Sequence, residues 1–174
     1  MTDRTPTKTT NLDRYGSDAL PWSRAHVALV EGSTGPDTTH FLGTIGPNGR
    51  PHVAGFGAAW LDGDLYFTSN LAARKARNLA ANPACTIAVK LAGIDLTLAG
   101  TAVQVSDAAT LERIAAIYRN GGWPAEVAGD ALTAPFSAPS AGPPPWHLFR
   151  FTFDTVVGVA TAEPFGATRW QFAL

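Results

Sequence analysis

The chain has 174 residues, of which 45% are hydrophobic and 16% charged, with a formal net charge of −1. That length can bury a substantial core, and the near-zero balance excludes a global field for nucleic acid or an anionic membrane. Any anion site must therefore be local.

Residues 1–16 are polar and lack an apolar core, so they predict a flexible N-terminal arm and not a signal peptide. Residues 17–174 then read as a single domain. No run approaches the ~18 apolar residues of a membrane span. Cys85 is the single cysteine; an intrachain disulfide is impossible, and the expected setting is the reducing cytoplasm. Within "CTIAVKL" its thiol reads as buried and structural.

The stretch "SDALPWSRAHVALVEG" predicts a short helix. Ser17 or Asp18 can cap it, Pro21 suits its first turn, and Gly32 can stop it. Trp22, Val27, Leu29 and Val30 form its expected apolar face. Next, "HFLGTIG" and "HVAGFGAAW" flank "PNGR", where Asn48-Gly49 is a hairpin signal because both residues tolerate positive φ. "AAWLDGDLYFTS" turns again at Asp62-Gly63, which predicts a three-strand antiparallel meander. "LAARKARNLAANP" is rich in helix formers and ends at Asn82-Pro83.

"ACTIAVKL" and "IDLTLAGTAVQVS" predict two more strands joined near Ala92-Gly93, with Gly100 at a bend or bulge. "SDAATLERIAAIYRN" has the clearest helical pattern: Asp107 can cap it, and Leu111, Ile114, Ala115 and Tyr118 share one face. Residues 123–145 hold six of the thirteen prolines and predict a long ordered loop or a short broken helix. "WHLFRFTF", "TVVGVAT" and "GATRWQF" return to strand. The expected class is α+β, an antiparallel split or half-closed β-barrel with flanking helices.

Charge is scarce, yet Arg74, Lys75 and Arg77 stand within four residues, directly after the strand that ends at Thr68-Ser69. If the following helix starts near Arg74, two cations occupy an end that prefers negative charge. A bound anion would resolve the mismatch, since Arg grips phosphate bidentately and Lys adds a point charge. A solvated helix face carrying three basic residues is the other reading, and the residues alone leave both open.

Strand–"NGRPHV"–strand–"DGDLYFTS"–"RKARNLAANP"–strand, from about Thr39 to Ser106, resembles the pyridoxamine 5′-phosphate oxidase-like superfamily of flavin-binding split barrels. The resemblance implies that Arg74 and Lys75 bind a cofactor phosphate, with Thr68 and Ser69 as nearby strand-end hydroxyls. It implies that the strand at His52, Val53 and Ala54 lines the isoalloxazine ring through its backbone. Near the C-terminus it brings Arg169 and Trp170 toward the cofactor. It also implies FMN or the deazaflavin coenzyme F-420 as cofactor, a small-molecule substrate, and a homodimer with cofactor sites at the interface. Ala73 stands where many relatives have Ser, and the ending "TRWQFAL" lacks the Arg-Leu-X-Pro substrate motif of true pyridoxamine phosphate oxidases. The implied activity is thus flavin-dependent hydride transfer to or from a small conjugated substrate, outside vitamin B6 synthesis. A non-catalytic flavin- or haem-sequestering protein of the same fold is the alternative.

Other motifs carry less. "GFGAAW" begins like a dinucleotide fingerprint but lies between strands, without the βαβ context it requires. His26, His40, His52 and His147 show no metal-ligand spacing with cysteine or carboxylates. No nucleophile elbow or catalytic triad can be assembled, and cofactor chemistry of this kind needs no side-chain acid or base.

Overall fold

The structure is a computed structural model that describes residues 4–173. Its sheet is antiparallel and nine-stranded, flanked by three helices, an α+β architecture of the split-barrel kind.

Alternation of apolar and polar side chains sets the central strands. In β6 (Ala84–Leu91) Cys85, Ile87, Val89 and Leu91 point inward, while the residues between them face out. β7 (Ile94–Val105) continues this pattern through Ile94, Leu96 and Leu98. β2 (His40–Ile45) and β3 (Pro51–Phe56) form the hairpin expected at Asn48-Gly49, with Thr44 opposite His52 and Gly49 at φ +75°. After Gly57 and Ala58 the chain resumes as β4 (Ala59–Leu61), turns at Asp62-Gly63, and returns as β5 (Asp64–Ser69).

The longest strand, β10 (His147–Ala160), organises the sheet. β7 runs along one edge of it. The other edge is shared: β5 pairs with His147–Phe151, and β11 (Ala167–Gln171) pairs with Thr155–Val159. The strand changes partners where its register against β7 shifts between Phe153 and Thr155. Gly100 faces this irregularity, and a Cβ there would lie 2.1 Å from the Thr152 carbonyl oxygen. Only glycine permits the two backbones to approach so closely.

The sheet runs β11–β10–β7–β6–β2–β3, so β3 is an edge strand, and the split lies between it and the β4–β5 pair. A core of Leu42, Phe67, Ile87, Leu98, Phe151, Phe153 and Trp170 fills the interior. A second cluster lies under α3 (Ala108–Asn120), where Leu111, Ile114, Ala115 and Tyr118 are buried as their spacing predicts. Asp107 caps this helix by accepting the Thr110 N–H at 2.9 Å.

Three expectations are corrected. Residues 8–11 are not a loose arm: β1 (Lys8–Asn11) pairs with β11, and Thr7 N–H donates to Gln171 O at 2.8 Å. Its polar sequence hides the strand because an edge strand presents little to the core. Residues 1–3 lie outside the described residues. Helix α1 (Trp22–Gly32) has Pro21 as its cap and buries Ala25 and Leu29, whereas Val27 and Val30 face solvent. Finally, the proline-rich segment is neither all loop nor a broken helix, because β8 (Glu126–Ala128) and β9 (Ala131–Thr133) make a hairpin across Gly129-Asp130. No helix among the described residues is long and apolar enough to cross a membrane.

Candidate functional site

The chain enters α2 (Arg74–Ala81) through a turn fixed by Asn70. The Asn70 side chain accepts the Ala72 N–H at 2.8 Å and donates to Pro143 O at 2.9 Å, tying this turn to the proline-rich loop. Ala73 caps the helix with extended backbone and no side-chain acceptor, and no acid stands in the first turn. Neither the cap nor the first turn therefore offsets the positive end of the helix. On the inner side Asn78 is buried and donates to Thr44 Oγ1 of β2 at 2.9 Å, which fixes how α2 lies on the sheet.

Across from the helix, the β2–β3 turn is closed by Gly46 N–H to Arg50 O at 2.8 Å and by Arg50 N–H to Asn48 Oδ1 at 3.2 Å. Between turn and helix lies a cleft of about 620 Å³ lined by Arg50, His52, Arg74, Arg77, Asn48 and Asn78, together with Gly46, Pro47 and Pro51. No acidic residue lines it. Among the described residues none of the three arginines has a carboxylate partner. Guanidinium groups do not lose their protons near neutrality, so the cleft holds fixed positive charge.

The expected site residues divide. Arg74 and His52 meet in this cleft. Lys75 does not line it; it is half-buried, and burial pushes its ammonium pKa below the ordinary value. Arg77, one helical turn beyond Arg74, lines the cleft where Lys75 does not. Val53 points outward from β3 and is 62% exposed, while Ala54 faces inward beside Leu42. The backbone of these residues lies on the unpaired edge of the sheet, where N–H and C=O groups are available to a planar ligand.

Thr68 and Ser69, the strand-end hydroxyls expected near the phosphate, face opposite ways, as neighbouring strand residues do. Ser69 is buried and donates to Asn70 O at 3.1 Å. Thr68 lines a different cavity, of about 430 Å³, whose walls include Ala58, Tyr118, Trp123 and Phe136. Trp123 Nε1–H donates to Phe136 O at 2.6 Å and ties the proline-rich loop over this cavity. β11 separates the last pair in the same manner. Arg169 is exposed, but Trp170 is 0% exposed, with its ring 5.5 Å from that of Trp22 and in the space left by Gly158. Trp170 is a core residue in this structure.

Arg50 and Arg77 were not among the residues assigned from sequence. Arg77 stood in the basic run itself. Arg50 is brought to it by the Asn48-Gly49 hairpin, which was legible, but the packing of that hairpin beside α2 was not.

A family profile described as pyridoxamine 5′-phosphate oxidase matches residues 26–160. No curated protein matches the chain significantly. Among solved structures, similarity extends to a pyridoxamine 5′-phosphate oxidase-related, FMN-binding protein from Nostoc punctiforme, with 22% identity and TM-score 0.55 over 89% of this chain and 91% of that one. An F420 reductase aligns with 20% identity and TM-score 0.52, covering 72% of this chain and 94% of its own. General Stress Protein 26 of Bacillus anthracis aligns with 15% identity and TM-score 0.54, covering 80% and 94%. Because the profile spans well over half of the sequence, from α1 to the end of β10, the chain belongs to the pyridoxamine 5′-phosphate oxidase family.

Proposed function

We propose that the protein is a flavin-dependent oxidoreductase of the cytoplasm, holding FMN or a deazaflavin coenzyme by its phosphate in the arginine cleft. The observation that carries this reading is the set of three arginines, without carboxylate partners among the described residues, that line a cleft without acids. Arg74 at the first position of α2 holds the phosphate with charge-assisted hydrogen bonds. The unpaired edge of β3 at His52–Ala54 offers backbone groups to the ring. Such a cofactor supplies hydride transfer at its ring, so this chain's residues need only bind, orient and exclude water.

The cavity under Trp123 and Phe136 has aromatic walls and a volume in the range of small-molecule sites, which supports a small conjugated substrate. Ser137 and Thr68 provide its side-chain hydroxyls beside Thr34, whose Oγ1 already accepts the Trp60 N–H.

The outer face of β2 and β3 supports a homodimer. Phe41 and Val53 are 50% and 62% exposed there, next to Gly43 and Gly55, on a flat apolar surface that a second copy would cover. Cofactor sites beside such an interface would be shared between protomers.

Titration with FMN and with riboflavin, followed by fluorescence, tests the phosphate anchor. Arg74→Ala should weaken FMN by about 10-fold to 100-fold, from the loss of charged hydrogen bonds. Riboflavin, which lacks the phosphate, should bind the variant as it binds the parent. Unchanged FMN affinity would overturn the anchor. A parallel titration with the deazaflavin coenzyme decides between the two cofactors.

A further inference from the structure

We propose that the arginine cleft accepts a ligand with two separate anionic groups, Arg74 taking a phosphate and Arg50 with Arg77 taking a second oxyanion. This rests on the reading of the cleft as a phosphate site and assigns the part of it that one phosphate leaves unused.

Charge and space both support a second group. The chain has 13 basic side chains, and three of its arginines line this one cleft, whereas none of its 14 acids does. A phosphate monoester carries about −1.5 to −2 near pH 7, less than the three guanidinium charges that face it. The volume also exceeds the need. A phosphate displaces only a few waters, each about 30 Å³, from a cleft of about 620 Å³.

The cations come from two separate elements. Arg74 and Arg77 belong to one helix, and Arg50 stands on the β2–β3 turn opposite. A ligand meeting all three must reach from helix to turn, and two anionic groups can do so from separate positions. Asn48 and Asn78 are neutral amides and supply no negative charge, and their side chains are already engaged, Asn48 with the Arg50 N–H and Asn78 with Thr44. Arginine's planar fork matches a carboxylate or a second phosphate equally well.

Calorimetric titration at low ionic strength, where screening is weak, tests the assignment with three probes: inorganic phosphate, pyrophosphate and 3-phosphoglycerate. At least one of the two-anion probes should bind the parent protein about tenfold or more tighter than phosphate, from added charged hydrogen bonds. Preference for pyrophosphate makes the second group a phosphate; preference for 3-phosphoglycerate makes it a carboxylate. Arg50→Ala and Arg77→Ala should each remove most of that preference while changing phosphate affinity by less than about twofold. Arg50→Lys should keep part of it, because charge remains and the fork is lost.

A preference that survives in both alanine variants overturns the proposal, and so does its absence in the parent protein. Arg74→Ala separates this from the cofactor reading. If that variant loses phosphate affinity while Arg50→Ala and Arg77→Ala keep the preference, the phosphate anchor stands and the second-anion assignment is wrong; if it binds phosphate normally, the anchor and the Arg74 half of this assignment fail together. Urea unfolding of each variant confirms that these surface changes leave the fold intact.

Discussion

Asn78 donates to Thr44 at 2.9 Å, and both side chains are buried, so one hydrogen bond joins the arginine helix to the strand that leads into the β2–β3 turn. The cleft is therefore held together from behind, by residues that need not touch a ligand. Thr44→Val keeps the shape but leaves the Asn78 amide without its partner. The expected cost is about 1–3 kcal/mol for the orphaned buried donor, read from urea unfolding. Anion affinity should fall in the same variant, because Arg74 and Arg77 lose their fixed position relative to Arg50.

His40 gives the fold a pH dependence. Its ring is fully buried against Phe56, neither nitrogen has a hydrogen-bond partner, and burial pushes its pKa from 6.5 down to about 4. Between those values the unfolded chain binds a proton that the folded chain refuses. Stability therefore falls as pH drops from 6.5 toward 4. The loss between pH 7 and 4.5 should be about 2–3 kcal/mol from this group. Measured against His40→Leu over that range, the parent should lose more stability by this amount; parallel curves would exclude His40 as the cause.

Gly100 and Gly158 should tolerate no side chain. A Cβ at Gly100 meets backbone at 2.1 Å, and one at Gly158 meets the buried Trp170 ring at 2.8 Å. Alanine at Gly158 should cost about 1–3 kcal/mol, the usual range for overpacking. Gly100→Ala should cost more, because backbone cannot rotate away as a side chain can. Thermal unfolding of the two variants gives the order directly.

Cys85 should be silent in the native protein. It is buried, and burial pushes its thiol up to about 12, which leaves almost no thiolate at pH 8. A thiol reagent such as DTNB should modify it only after denaturation. Fast labelling under native conditions would mean that β6 opens.

Charge placed on the apolar outer face should separate a dimer. Val53→Glu or Phe41→Glu adds like charges to both copies across the proposed interface. Light scattering should then give the monomer mass, with the unfolding midpoint of the isolated chain little changed because both side chains are already exposed.

Much of the fold was legible because its signals are local. The Asn48-Gly49 and Asp62-Gly63 turns, the alternation in β6, and the Asp107 cap with its Leu111–Tyr118 face each lie within a short window. What could not be seen depends on partners distant in sequence. β1 is polar because it lies on an edge, so "KTTN" carries no alternation. Val27 and Val30 look like core residues, but α1 is turned so that Ala25 and Leu29 meet the sheet. The site follows the same division. Arg74 was found because it stands beside a strand end in an unusual charge run. Arg50 is 24 positions earlier, and only tertiary packing adds it. The exchange of Thr68 and Trp170 from site to other surroundings is a matter of strand facing, where a shift of one residue inverts the answer.

The shared edge of β10 also governs the order in which the molecule can assemble. Its ladder joins residues near 65 and near 100 as well as the adjacent β11, so two of its three neighbours are distant along the chain. On the ribosome, β5 and β7 emerge with their pairing edges bare and wait for a strand that begins at His147. Long-range antiparallel contacts of this kind are slow to form, in milliseconds to seconds for comparable topologies. The nascent protein is thus most exposed to misassociation until His147–Ala160 has emerged, and its dependence on chaperones should be greatest before then.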